Sequence, residues 1–278
     1  MVIWEGVVVC RLFALSANQP TRARESLLAA PGSLLRQSGC DRSGLCHDNG
    51  WGLGWYEEGR PVRQRAAAAA PQDPRYRAAA ESLRAATALA HVRRASVGGV
   101  SERNTHPFVH GPWLFAHNGT LQGFAEDAAR LRRLIPADLL RCVQGDTDSE
   151  HLFYYLLGRL GPVAEAADTV AEVVRDSLQT LAGLFPGEDA APTQLNLVLT
   201  DGATLVATRW GHTLSWLERR GAVATDGSVE PSPAYHAIAI ASEPTTTEAG
   251  WAEVPDRSIL LIRPDLSHAL TPLTTPAR

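Results

Sequence analysis

Apolar residues along this chain fall in short blocks, separated by polar, Gly-rich and Pro-rich breaks. The first block, VVVCRLFAL from Val7 to Leu15, barely alternates, so it predicts a buried strand over 7–16. TRARESLLAA then carries helical spacing, with Thr21 as the expected N-cap and Pro31 beyond the end. NGWGLGWYEEGRPVRQRA predicts a hairpin: strand 51–57, a turn at Glu58–Arg60 and strand 62–67. A loop leads to a helix from about Pro74, and TALAHVRRA returns to strand. SVGGVSERNTH has the character of a loop, and GPWLFAHNG predicts a strand ending in a turn at Asn118–Gly119. Helices follow over roughly 123–134, 147–160 and 163–184; the second puts Leu152, Phe153, Tyr155, Leu156 and Leu160 on one arc.

The last third is β again. LNLVLTDGATLVATRW predicts two strands across an Asp201–Gly202 turn, and HAIAIASE and SILLIRP predict two more. No internal repeat and no linker divides the chain. Strands, then helices, then strands give an α+β fold in which helices cover sheets. A length of 278 residues with 45% hydrophobic content fits one large domain.

Charge narrows the partners. The net charge is −4 and no basic stripe is visible, which gives no electrostatic footing for nucleic acid. All 26 basic residues are arginine, the mark of a GC-rich gene. MVIWEGVVV is too short for a signal segment and contains Glu5, and no run approaches the roughly 18 apolar residues of a membrane span, so the expectation is a soluble, cytoplasmic protein with no membrane contact. Cys10, Cys40, Cys46 and Cys142 do not form a disulfide framework by spacing. Cys40, Cys46 and His47 lack the second half of a metal site, so no metal is expected there.

Four local clusters carry candidate chemistry: Cys10–Arg11, the HVRRAS segment 91–96, the AHNG segment 116–119 and the DTDSE segment 146–150. Each has a plain structural reading. A cysteine in a strand is most often a small buried hydrophobe. Arg93 at a strand end suits a surface ion pair. Asn-Gly is a common hairpin turn. TDSE is an N-cap signature, with Thr147 or Asp146 capping and Glu150 closing a capping box.

Their order changes the weighing. A Cys at the start of the first strand, then HVRxAS, NTHPF, FAHNG and TDSE, resembles the class II glutamine amidotransferases, which are N-terminal-nucleophile hydrolases. The resemblance runs from Cys10 to about residue 160 and continues more loosely through LNLVLTDG, ATRWG and IASEP. It is greatest to the stand-alone members, the YafJ-like proteins and the γ-glutamyl amidohydrolases of ergothioneine biosynthesis. It implies a four-layer αββα fold, two stacked antiparallel sheets covered by helices, over a single domain of residues 10–278.

The resemblance also implies roles. Cys10 is the nucleophile toward the side-chain amide of glutamine or another γ-glutamyl compound, forming a γ-glutamyl thioester that water hydrolyses. Its own α-amino group is the base; such a group titrates near ~7.7–8, close to working pH, whereas a peptide nitrogen inside a chain has no available lone pair. Asn118 and Gly119 form the oxyanion hole, Gly119 supplying a close approach and positive φ. Arg93 takes the substrate α-carboxylate, Asp148 the α-ammonium, and Ser96 and His106 line the pocket. No cofactor and no metal are implied. The partner is a small-molecule substrate; a separate ammonia-accepting synthase and a homodimer stay open.

Two departures stand out. Related members carry aspartate where this chain has Asn49 before Gly50-Trp51-Gly52, which preserves the turn chemistry but loses the charge. Nine residues also precede Cys10. They are read as a propeptide or, preferably, as an upstream extension from a mis-set start, with Val9 as a GTG initiator; on the second reading they form a tail with little packing. Other readings of the chain are a hydrolase for an ergothioneine-type intermediate with no ammonia acceptor, a catalytically silent glutamine-sensing subunit, and a zinc or redox protein built on Cys40, Cys46 and His47.

Overall fold

Strand β1 (Arg11–Arg22) is apolar on both faces because both faces are covered. Leu12 and Ala14 turn into one core, Phe13 and Leu15 into another, and all four are buried. That double burial is why the sequence block fails to alternate. The computed structural model describes residues 10–39, 46–161, 166–188, 191–221 and 232–273. Residues 1–9, on which the expectation of a loosely packed leader falls, lie outside the described residues, and so does Cys40.

After β1 come α1 (Leu34–Gly39), the hairpin β2 (Gly50–Glu57) and β3 (Arg60–Ala66), α2 (Pro74–Ser82), β4 (Arg84–Arg93), β5 (Phe108–His110) and β6 (Trp113–Thr120). Four helices follow: α3 (Ala128–Arg132), α4 (Ala137–Leu140), α5 (Asp148–Leu160) and α6 (Ala167–Leu184). A two-stranded ribbon, β7 (Gly187–Glu188) and β8 (Ala191–Pro192), leads to β9 (Gln194–Thr200), β10 (Leu205–Arg209) and β11 (Ser215–Arg220). The last strands are β12 (His236–Ala241), β13 (Ala252–Glu253), β14 (Ser258–Ile262) and β15 (His268–Pro272).

One sheet has the order β13-β11-β12-β1-β4-β2-β3 and the other β15-β14-β10-β9-β6-β5, and their paired strands run antiparallel. Leu12, Leu89, Leu114, Val198, Ile240 and Leu260 make the core between the sheets. Leu27, Leu34 and Tyr76 cover the outer face of the first sheet. Leu152, Phe153, Leu156, Val174 and Leu178 from α5 and α6 cover the second. The fold is therefore α+β, in the four αββα layers expected.

Several local expectations need correction. Thr21 caps no helix: it pairs with Ala85 in the sheet after an irregularity in register beyond Ser16, and only a single π turn forms, at Glu25–Ala29. The helix expected over 123–134 shrinks to α3, because Leu121–Asp127 is occupied by turns. Thr147 does cap α5, its Oγ1 accepting from the Glu150 N–H at 3.2 Å, but Glu150 does not close a capping box. Its carboxylate accepts instead from the Gln144 and Gly145 N–H groups. Cys46 is disulfide-bonded, contrary to the reading of the spacing, and that bond removes it from metal or free-thiol chemistry.

Asn118–Gly119 is not a turn. Both residues lie within β6, where Asn118 pairs with Asn196 and Gly119 with Leu195 of β9. Glycine is needed at 119 for space rather than for positive φ: a Cβ there would stand 2.1 Å from the Gln194 carbonyl oxygen and 2.7 Å from His117 Nε2.

Candidate active site

The register of β1 against β4 builds the centre of the site. Arg11 pairs with Val92, so the end of β4 lies alongside Cys10. The Arg94 N–H donates to Cys10 Sγ, and the thiol donates to the Arg94 carbonyl, each at 3.3 Å. Cys10 is half-buried. Burial pushes its thiol pKa up, while the Arg94 backbone bond and the charges of Arg93 and Arg11 pull it down. The Arg11 guanidinium closes the near side, donating to the Cys10 carbonyl at 3.1 Å and to Glu243 at 2.8 Å.

Asn49 secures the turn after β4. Its N–H donates to the Arg93 carbonyl at 3.0 Å, and its Oδ1 accepts from the Ala95 N–H at 2.9 Å. The second bond needs an oxygen and no charge, so asparagine serves here.

Arg93 and Asp148 are both buried. The Arg93 guanidinium donates to the carbonyls of Val97 at 2.9 Å, Gly98 at 3.3 Å and Gly99 at 3.1 Å. Burial lowers its pKa, and the charges of Cys10, Asp146 and Asp148 oppose that shift, which places the three groups in one electrostatic neighbourhood. Asp148 opens α5. Its Oδ2 accepts from the Leu121 N–H at 2.8 Å, and its Oδ1 from the Ser149 N–H at 2.8 Å and the Ser149 hydroxyl at 3.3 Å. Neither Arg93 nor Asp148 forms an ion pair among the described residues.

Asn118 is fully buried on β6. Its Nδ2 donates to Ser242 Oγ at 3.2 Å, and its Oδ1 has no protein partner among the described residues. An amide nitrogen carries two hydrogens, so one remains for a ligand. Next to it, Thr120 Oγ1 lies 3.2 Å from the hydroxyl of Ser96, which is exposed at the loop surface. His106 is placed differently: it is buried, packed against His91 with ring centroids 4.3 Å apart and the rings tilted by 39°, and edge-on to Phe108 at 4.7 Å. His117 is structural, its Nε2 3.0 Å from the Gln194 carbonyl and its Nδ1 2.9 Å from Ser149 Oγ.

The fold thus gathers Cys10, Arg93, Ser96, Asn118, Gly119 and Asp148 at the ends of β1, β4 and β6 and the start of α5. Sequence reasoning missed Asn104 and Ser242. Asn104 sits in the NTHPF motif and Ser242 at the end of an apolar strand, and only the contacts reveal what either does. Among the described residues no group of three His, Cys, Asp or Glu side chains is placed to hold a metal, and no helix is long and apolar enough to cross a membrane.

The family described as "Glutamine amidotransferases class-II" matches residues 9–271, beginning one residue before Cys10. The chain is 32% identical over 226 residues to the gamma-glutamyl-hercynylcysteine sulfoxide hydrolase of Mycobacterium tuberculosis, covering 79% of this chain and 77% of that one. It is 30% identical over 293 residues to the probable glutamine amidotransferase DUG3 of Saccharomyces cerevisiae, covering 92% and 82%. Among solved structures, a glutamine aminotransferase class-II domain protein from Silicibacter pomeroyi superposes with a TM-score of 0.65 at 22% identity, covering 96% of this chain and all of that one.

Proposed function

The chain belongs to the class II glutamine amidotransferases, and from that premise we propose that Cys10, exposed as the N-terminal residue of the active enzyme, cleaves a γ-glutamyl amide. The observation that carries this reading is the pair of buried, oppositely charged side chains, Arg93 and Asp148, near Cys10 and without an ion pair among the described residues. Hydrogen bonds meet each charge, but a buried charge without an ionic partner in contact still carries a desolvation cost. A substrate with an α-carboxylate and an α-ammonium supplies both counter-charges at once, and every γ-glutamyl compound carries that head. Arg93 would hold the carboxylate and Asp148 the ammonium, with the side-chain amide directed at Cys10. Ser96 and His106 are the further pocket positions of this proposal, Ser96 exposed at the loop surface and His106 buried against His91.

The chemistry then runs on this chain's own groups. The Cys10 α-amino group takes the thiol proton as sulfur attacks the amide carbon. The oxyanion accepts from the spare Asn118 Nδ2–H and from the Gly119 N–H. Collapse breaks the C–N bond, and the leaving amine departs with the proton held by the α-ammonium group. Water, deprotonated by the same amine, attacks the thioester carbonyl; the C–S bond breaks, the thiolate takes the proton back from the α-ammonium group, and glutamate is released.

The likeness to a gamma-glutamyl-hercynylcysteine sulfoxide hydrolase supports a γ-glutamyl conjugate as substrate, with no ammonia acceptor. The likeness to a probable glutamine amidotransferase supports a second reading, glutamine cleavage with ammonia passed to a separate synthase. Amine and ammonia release from a panel of γ-glutamyl conjugates and glutamine separates the two. Intact-mass analysis of the active protein tests the mechanism. The expected mass begins at Cys10; full activity with residues 1–9 attached would overturn the amine-base step. Cys10→Ala is expected to abolish turnover of every substrate, and a variant that still turns over removes Cys10 as nucleophile.

A further inference from the structure

Ser242 stands just beyond β12, buried, with its hydroxyl between the two sheets. Its N–H donates to the Leu12 carbonyl at 3.0 Å, as the β1–β12 ladder requires. The return bond differs from the ladder: the Leu12 N–H donates at 3.0 Å to Ser242 Oγ. The same oxygen accepts from Asn118 Nδ2 at 3.2 Å. One hydroxyl oxygen therefore receives a donor from the strand that carries Cys10 and a donor from the side chain on the opposite sheet. The next residue, Glu243, continues the link by binding Arg11, which in turn holds the Cys10 carbonyl.

We propose that Ser242 is the positioning residue of the oxyanion hole. It rests on the reading of Cys10 and Asn118 given above. Its oxygen engages one hydrogen of the Asn118 amide, which leaves the other directed at the reacting carbonyl, and it ties that amide to the strand two residues beyond the nucleophile. Without the oxygen, the amide of Asn118 loses its only protein partner among the described residues and is free to rotate about its terminal torsion, which is soft in asparagine. Misplacement of a catalytic donor by about 1 Å costs on the order of 10²-fold. Ser242 touches no substrate in this scheme, so its removal should slow formation of the tetrahedral species and leave ground-state binding alone.

The test uses mature enzyme beginning at Cys10, as wild type, Ser242→Ala and Ser242→Thr. Three quantities are measured: the burst rate of p-nitroaniline from γ-glutamyl-p-nitroanilide, the Kd of L-glutamate, and the rate of Cys10 alkylation by iodoacetamide, which needs no oxyanion hole. Ser242→Ala is expected to lose about 10- to 100-fold in burst rate, with glutamate affinity and alkylation within about threefold of wild type. Ser242→Thr keeps the oxygen and is expected to retain the burst rate within about threefold. An unchanged burst in Ser242→Ala overturns this inference alone. So does a parallel fall of burst, glutamate affinity and alkylation, or a Ser242→Thr enzyme that folds and loses the burst as fully as Ser242→Ala. A wild type that releases no amine from any γ-glutamyl compound overturns the reading of the site and this inference together.

Discussion

Asn104 and Asp146 hold each other by exchange: Asn104 Nδ2 donates to Asp146 Oδ1, and the Asp146 N–H donates to Asn104 Oδ1 at 3.1 Å. The same Nδ2 also donates to the Gly99 carbonyl at 2.9 Å, one of the three carbonyls that hold the Arg93 guanidinium. Asn104 therefore ties the loop around Arg93 to the turn that presents Asp148. These two charged groups are the proposed grips on the substrate head, and Asn104 fixes their relative position.

Asn104→Ala is expected to act on binding more than on chemistry. It removes three hydrogen bonds from a buried residue, a stability loss of roughly 2–3 kcal/mol. KM for a γ-glutamyl substrate should rise on the order of tenfold as the two grips loosen, with kcat falling less. Steady-state kinetics on folded variant, with the thermal midpoint recorded alongside, decides it. A kcat loss at unchanged KM would contradict the role assigned to Asn104.

Asn49 gives a cleaner contrast. Its Oδ1 satisfies the Ala95 N–H in the turn that leads from Arg93 past the Cys10 thiol. Asn49→Asp keeps that oxygen, so kcat/KM is expected to stay within about threefold of wild type. Asn49→Ala leaves the Ala95 N–H without this acceptor and should lose about tenfold or more, since an unmade buried bond costs ~1–3 kcal/mol. Equal activity in all three proteins would show that the turn holds its shape without Asn49.

Cys10, Arg93 and Asp148, three residues of the proposed site, stand where an element begins or ends, and such boundaries carry local signals; it was the order of several motifs that gave those signals weight. Strands β1, β9, β12 and β14 were legible as apolar runs because both faces of each are covered. Local signals misled where pairing was distant. Asn118–Gly119 has the residues of a hairpin turn, yet β9 pairs across it from more than seventy positions away. Thr21 looks like a helix cap until β4 takes it into the sheet at Ala85. The role of Ser242 depends on its register against Leu12, more than two hundred residues earlier, and no local pattern encodes that.

Acid should destabilise the fold through a buried histidine pair. Burial first, and Arg93 second, push His91 down to about 3; burial, and then His91 itself, hold His106 well below its ordinary value. His117, His47 and Arg65 also face this pair. An unfolded histidine titrates near ~6.5, so between roughly pH 6.5 and 3 the unfolded chain binds protons that the folded chain refuses. Stability is thus fully present above pH ~6.5 and is lost as pH falls below it. Each residue adds up to about 1.4 kcal/mol per pH unit to that slope. Urea titrations between pH 7.5 and 4.5 should show it, and His106→Phe should make the slope shallower by about one proton. An unchanged slope would place the titration elsewhere.

Gly119 provides the sharpest test of why the Asn-Gly pair is where it is. Were glycine present to permit a turn, alanine would cost little, because β6 is extended through this position. The structure gives a different reason: a Cβ would meet the Gln194 carbonyl oxygen at 2.1 Å and carbon at 2.7 Å, and both are backbone atoms that a side-chain rotation cannot move aside. Gly119→Ala must therefore push β6 away from β9, displacing Asn118 on one side and the His117–Gln194 contact on the other. Overpacking of this kind costs ~1–3 kcal/mol, and displacement of the proposed oxyanion donors should lower kcat by about 10² or more. Differential scanning calorimetry and burst kinetics on the same preparation measure the two losses together. A Gly119→Ala enzyme with wild-type kcat and thermal midpoint would show that β6 and β9 are not held at the distance described.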